Sequence, residues 1–310
     1  MTDVMVSIVC VAYNQENYIA EAIESFLMQK TDFSYEILMH DDASKDETPN
    51  IIKKYEEEYP GRIKAVYQKE NQYSKGVHVF DFYMDIALGK YIAICEGDDY
   101  WTDPYKLQKQ VDFMEQNPDY SCCLHAAFEV DAKTKRIIGK VRPSDRSKEF
   151  ATEEVILGGG GLFSTNSIFY ARKFSNRPQF YYDCLIGDFP LMIHLAVSGK
   201  VYYMDEYMSA YRLGDKNSWT ARMTKSSTKT RTDHIDRIET MLIKVDEYTN
   251  KKYHDAINMK IKKNRFDLLI TNGDFEEAKS DMYIENYQSL DMYKRLKILI
   301  KQYLKLKKYY

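Results

Sequence analysis

Over its first 120 residues the chain alternates between two spacings of apolar residues. Four runs, VSIVCVAY (6–13), YEILMH (35–40), IKAVYQ (63–68) and YIAICE (91–96), are apolar, rich in β-branched and aromatic residues, and bounded by polar turns. Such runs predict buried strands. Between them apolar residues return every three or four positions. ENYIAEAIESFLMQK (16–30) aligns Ile19, Ile23, Phe26 and Leu27 on one stripe, and residues 46–60 repeat the idea with Ile51, Ile52 and Tyr55. GVHVFDFYMDIALG (76–89) comes next, then 103–118 with Leu107, Val111 and Met114. These segments read as helices. Strands alternating with helices predict an α/β fold on a parallel sheet with right-handed connections.

The texture changes after Asp119. YSCCLHAAFEV (120–130), a basic turn at Lys133–Arg136 and RIIGKV predict an antiparallel or mixed extension of the sheet. LGGGGLFSTNSIFYARK (157–173) reads as a glycine-rich loop followed by a strand, a helix opens at Asp188, and a strand covers 201–212. From about Arg231 onward the pattern is almost wholly helical. The final stretch, MYKRLKILIKQYLKLKKYY (292–310), carries seven Lys/Arg and no acid, with Leu296, Leu299, Ile300, Tyr303 and Leu306 near helical spacing. A Lys-rich amphipathic helix of this kind either lies on an anionic membrane surface or packs on protein with its lysines solvated.

Composition narrows the function classes. A net charge of −3 over 310 residues implies no nucleic-acid partner, and no basic motif interleaved with aromatics points to one. No run approaches the roughly 18 apolar residues that a spanning helix needs. The first residues, with Asp3 and no basic leader, read as a strand and not as a signal peptide. Cys10, Cys95, Cys122, Cys123 and Cys184 lack metal-type spacing, and an odd count without a secretion signal fits a reducing cytosol. His194, on the apolar stripe of the Asp188 helix, reads as a packed histidine.

Ligands of open α/β sheets bind beyond the carboxyl ends of the parallel strands. Here those ends carry Ala12-Tyr13-Asn14, Asp41-Asp42-Ala43-Ser44, Glu70-Asn71 and Glu96-Gly97-Asp98-Asp99. Residues two apart in an extended segment share a face, so Glu96 and Asp98 can converge on one hard cation, Mg²⁺ or Mn²⁺, with positions left for phosphate oxygens. Gly97 would admit a backbone or a ribose between them. The plainer reading is that Asp98 or Asp99 caps the next helix; three acids exceed what capping needs.

The order AYNQENYI, HDDASKDET, KENQYSKG, EGDDYWTDPYKL and IGDFPLMIHLAVSGKVYYMDEYMSAYR resembles that of inverting family 2 glycosyltransferases, over roughly residues 5 to 215. The resemblance implies the GT-A fold, a mixed sheet flanked by helices, as a catalytic domain over 1–220. Its nucleotide-binding half would be 1–118 and its acceptor half 119–220, with a C-terminal helical region and basic tail over 221–310. It implies that Tyr13, with Ala12 and Asn14 beside it, and Asp41 or Asp42 hold the nucleotide base. Asn71 and Lys75 match a polar loop on the donor side. The family's Asp-x-Asp motif corresponds to Glu96-Gly97-Asp98, a departure at its first position, with Asp98 and Asp99 as metal ligands. The catalytic base usually follows an acid in a Glu-Asp pair; here the pair reads Gly187-Asp188, which keeps only the acting member. Arg212 matches a position near the diphosphate, or else forms a surface salt bridge.

Tyr100 and Trp101 border the metal motif and either stack on the acceptor sugar or, for Trp101, belong to the core. Gly160, in the Gly158–Gly161 run, either lets the acceptor approach or lies in a flexible connection. The expected function is metal-dependent, inverting transfer from a nucleotide sugar, a UDP-sugar first, to a glycan or lipid-linked glycan in bacterial cell-surface glycan synthesis. The expected location is cytoplasmic, either free or peripheral on the inner face of the membrane, with self-association left open. The rival reading is an inactive sugar- or nucleotide-binding scaffold on the same fold. A nucleotidyltransferase or a nicotinamide dehydrogenase would need glycines after strand one, and VAYNQENYI has none.

Overall fold

The computed structural model describes residues 4–184, 187–215 and 218–306. They form two compact units, Met1–Ser218 and Trp219–Tyr310. In the first, the elements run β1 (Val4–Ala12), α1 (Ile19–Leu27), β2 (Ser34–Asp41), α2 (Thr48–Glu58), β3 (Ile63–Tyr67), β4 (Tyr91–Ile94), β5 (Tyr100–Trp101), α3 (Lys106–Gln116) and β6 (Tyr120–Asp131). There follow β7 (Ile137–Val141), β8 (Lys148–Phe150), α4 (Thr152–Gly158), β9 (Phe169–Ala171), α5 (Asp188–Ser198) and β10 (Lys200–Leu213).

The strands form one mixed sheet in the order β3-β2-β1-β4-β9-β6-β10-β5, with β7 on β6 and β8 on β10. β1 to β4 pair parallel, as the four apolar runs predict. β9 reverses direction against β4 and β6, and β10 returns parallel to β6 after α5. Successive side chains of a strand point to opposite faces, so each run feeds two cores. Val6, Ile8 and Cys10 meet Ile19, Ile23 and Phe26 of α1, Ile52 of α2 and Leu107 and Val111 of α3. Val9, Leu38, Ile92 and Ile94 meet Val155 of α4 and Leu191, Met192 and Leu195 of α5. Each such side chain contributes about 1.5–3 kcal/mol by leaving water.

Residues 76–89 depart from the expected helix. Only a 3-10 turn over Val79–Tyr83 forms, after Gly76 at φ 82°. Turns continue to Ala87, whose amide donates to the Tyr83 carbonyl (2.8 Å), and the backbone amides of Leu88 and Gly89 are then claimed by Glu36 Oε1 (2.7 Å) and Ser7 Oγ (2.9 Å), which ends the coil there.

The second unit comprises α6 (Trp219–Lys225), α7 (Thr228–Tyr248), α8 (His254–Asn272), α9 (Ile284–Ser289) and α10 (Met292–Leu306). Ser227 caps α7 by accepting from the Thr230 amide at 3.1 Å. Arg265 of α8 pairs with Asp236 (2.7 Å) and Glu239 (2.6 Å) of α7, and Phe266 of α8 buries against Ala278 and Tyr283. The side chains of Tyr303 and Leu306 lie outside the described residues.

Candidate active site

The carboxyl ends of β1, β2 and β4 meet on one rim, and hydrogen bonds between their turns shape it. Asn14, at φ 54°, donates its amide to Ser44 Oγ (2.9 Å) and accepts the Lys45 amide at Oδ1 (2.7 Å). Asn tolerates this left-handed geometry better than most residues. Ala12 is buried, whereas Tyr13 is exposed on the rim.

The two acids ending β2 divide. Asp42, fully buried, accepts the amides of Gln72 (2.7 Å) and Tyr73 (3.1 Å), so it holds the 70–75 loop. Asn71 reinforces that loop by donating to the Asp42 carbonyl (3.1 Å) and accepting from Ser74 (2.7 Å). Lys75 is exposed and paired with Glu70. Asp41 accepts the Ser44 amide at Oδ2 (3.1 Å), while its buried Oδ1 has no hydrogen-bond partner among the described residues. Burial raises its pKa. Of the two acids, Asp41 is the one with an acceptor to spare.

The acids after β4 divide as well. Asp99 is fully buried, and its oxygens accept from the Arg212 amide (2.8 Å) and from Asn166 Nδ2 (2.9 Å). That corrects the expectation that Asp99 is a metal ligand: it ties the motif to β10. Burial, then Asp98 and Glu96, push its pKa well up. Gly97 is also corrected. A Cβ there would stand 2.4 Å from Gln15 Oε1 and 2.7 Å from Ile19 Cδ1, so the protein itself fills the space assigned to a ribose.

Glu96 and Asp98 remain half-buried on the rim. Burial, Asp98 and Asp188, in that order, push Glu96 up to about 8. Burial also raises Asp98, against the pull of Arg212. Asp188, first residue of α5, accepts the Phe189 amide at Oδ1 (2.7 Å), and burial pushes it up to about 6. Gly160 lies against it: a Cβ there would be 3.7 Å from Asp188 Oδ2. The acids at 96 and 98 and the acid opening α5, 90 positions later, thus share one electrostatic neighbourhood. At Gly187 a Cβ would meet the Tyr181 hydroxyl at 3.3 Å and Phe80 at 3.7 Å, so aromatic packing occupies the place of the missing acid's stem.

Arg212 is buried at the site and not on the surface. Its guanidinium pairs with Glu21, donates to the Asp98 carbonyl, and lies over the rings of Tyr18 (4.9 Å) and Tyr100 (4.4 Å). Tyr100 is half-buried. Trp101 corrects the acceptor assignment. It is 1% exposed, donates Nε1 to the Asn166 carbonyl (3.0 Å) and packs edge-on to Phe26 at 4.8 Å, so it is core. His194 Nε2 lies 2.9 Å from the Phe174 carbonyl.

Sequence reasoning missed Glu21, Asn166 and Tyr18. Asn166 stands between apolar stretches in FSTNSIF, and a buried amide there had to bond something. Glu21 carried no signal, since an acid in the first turn of a helix is ordinary. Among the described residues no three His, Cys, Asp or Glu converge into a cation shell. The pair Glu96 and Asp98 nevertheless fits a hard divalent ion completed by outside oxygens. Both are oxygen donors, burial raises both, Glu96 is raised further by Asp98 and Asp188, and Arg212, the buried cation beside them, is already paired with Glu21.

A family model for glycosyl transferase family 2 matches residues 7–175. An uncharacterized protein of Mycobacterium tuberculosis is 34% identical over 224 residues, 70% of this chain and 61% of that protein. The chain therefore spans about 61% of the length of the curated relatives it matches first. Among solved structures, S. aureus TarS 1-349 in complex with UDP-GlcNAc aligns over 96% of this chain and 79% of its own, with TM-score 0.61 and 14% identity. Mannosyltransferase PcManGT from Pyrobaculum calidifontis, in complex with GDP-Man and Mn²⁺, aligns over 98% of this chain and 88% of its own, with TM-score 0.58 and 14% identity. At such identities these likenesses speak for the fold.

Proposed function

The chain belongs to glycosyl transferase family 2, and we propose that it moves a sugar from a nucleoside-diphosphate donor to an acceptor hydroxyl with inversion at the anomeric carbon. The observation that carries the reading is Asp188, a carboxyl raised to about 6 by burial and close enough to Glu96 for its charge to raise that acid. A base poised near working pH takes a proton most effectively.

Tyr13, exposed on the rim, and Asp41, at the end of β2, hold the base, a ring N–H being what a carboxylate accepts. A UDP-sugar is the first donor to test: uracil offers such an N–H, and TarS is crystallised with UDP-GlcNAc. Guanine offers one too, as the GDP-Man complex of PcManGT reminds. Asp98 with Glu96 holds Mn²⁺ or Mg²⁺, whose chemistry when bound is to neutralise charge on the leaving diphosphate. Arg212, fixed by Glu21 and two tyrosine rings, sets the Asp98 backbone and adds permanent positive charge. Asp188 accepts the acceptor hydroxyl's proton as the oxygen attacks the anomeric carbon, and the carbon–diphosphate bond breaks on the opposite face. Oδ1 is steadied by the Phe189 amide, which leaves Oδ2 for that proton. Tyr100 and Gly160 border the acceptor, a glycan or lipid-linked glycan of the cell surface.

The test is a panel of nucleotide sugars offered with glycan acceptors, with the product's anomeric configuration read by NMR coupling constants. One donor transferred with inversion supports the reading. Retention of configuration would overturn the mechanism, and no turnover across the panel would favour the scaffold reading.

A further inference from the structure

We propose that α10 is a docking surface for an anionic lipid bilayer. At 100° per residue, Met292, Leu296, Leu299 and Ile300 fall within about 100° of the helix circumference. Their exposures are 85%, 53%, 48% and 50%, so the stripe is open to solvent. Other positions fasten the helix to its own unit. Ile298 is buried, Gln302 Oε1 accepts from Lys279 Nζ (2.7 Å), and Arg295 Nε donates to the Leu290 carbonyl (2.8 Å). A helix held by one face that leaves a second apolar stripe uncovered presents a binding surface.

Charge decides what covers it. Residues 292–310 hold seven Lys/Arg and no acid, in a chain whose net charge is −3. Pairing this helix with that of a second copy would lay two strongly basic segments, each with seven Lys/Arg and no acid, alongside one another. An anionic bilayer satisfies both features at once: acyl chains receive the stripe, and headgroup phosphates receive Lys297, which flanks it and whose long stem carries the charge outward. No helix among the described residues is long and apolar enough to cross a membrane. The helix therefore lies in the interface, where an amphipathic helix with a basic face belongs.

The proposal is independent of the donor reading, because vesicle binding needs no nucleotide. The full chain is sedimented with vesicles of phosphatidylglycerol and, separately, of phosphatidylcholine, at low and high salt. Binding is expected to phosphatidylglycerol only and to vanish at high salt. Lys297→Gln should weaken it about fivefold. Leu296→Gln/Leu299→Gln should weaken it more than about tenfold while the thermal midpoint stays unchanged, since both positions face solvent. Absence of binding, equal binding to phosphatidylcholine, or unaltered binding by the variants overturns the proposal. A dimer in analytical ultracentrifugation that Leu296→Gln dissociates also overturns it, in favour of a second copy as occupant.

Discussion

Replacing Asp188 by Asn keeps the shape and removes the base. The carboxyl is pushed up to about 6 by burial, with the Phe189 amide at 2.7 Å the main opposing influence. With that value it is about 90% ionised at pH 7 and about 10% at pH 5. The sign follows: only the ionised form accepts a proton, so wild-type kcat should fall about tenfold per unit below pH 6 and level off above 7. The side-chain carbonyl of the substituted residue can still accept the Phe189 amide, so α5 should start where it does now. The Asp188→Asn variant should lose about 10²–10⁴ in kcat, bind donor nucleotide unchanged, and show no acid limb near pH 6. The assay is release of nucleoside diphosphate from a donor–acceptor pair across pH 5 to 9, with donor affinity measured separately by calorimetry. A variant retaining more than a tenth of wild-type kcat, or one whose limb near pH 6 persists, would refute Asp188 as the base.

Three further outcomes follow from contacts at the site. Trp101→Ala should cost about 3–5 kcal/mol in urea unfolding without raising acceptor KM under folding conditions; a KM rise without stability loss would restore the sugar-stacking role. Asn166→Ala strips a partner from buried Asp99 and from Ser209 Oγ (2.6 Å). It should destabilise by about 1–3 kcal/mol, and an unchanged unfolding midpoint would contradict the anchor. Gly160→Ala places a methyl in van der Waals range, 3.7 Å from Asp188 Oδ2. Removing water there disfavours the charged carboxyl, so the acid limb of kcat should move to higher pH, with little change at pH 8; a downward shift would be the wrong sign.

The first four strands were legible because nothing but buried sheet suits runs such as VSIVCVAY and YIAICE, and the sheet carries them at 4–12 and 91–94. Their acidic ends were legible for the same reason, since a turn follows each strand. Which acid does what was not legible. Asp98 and Asp99 part because Asp99 meets the amide of Arg212, 113 positions away, and the side chain of Asn166, 67 away. Asp41 and Asp42 likewise differ through the amides of Gln72 and Tyr73. Those partners come from tertiary register, which local spacing does not encode. Trp101 illustrates the same gap: its neighbours Tyr100 and Asp99 bound the site, yet its own ring turns inward onto Phe26. In 76–89 the apolar residues were dense enough for a helix, but only a 3-10 turn and further turns form, and Glu36 and Ser7 take the amides at 88 and 89. The tail's spacing was plain; its open face required the structure.

The most direct test of the donor site is calorimetric titration of UDP into the intact chain and into Asp98→Ala, each with and without Mn²⁺. The account predicts binding that requires Mn²⁺ and is lost in the variant. UDP binding that is indifferent to both the ion and Asp98, or no binding of UDP or any other nucleoside diphosphate, would contradict it.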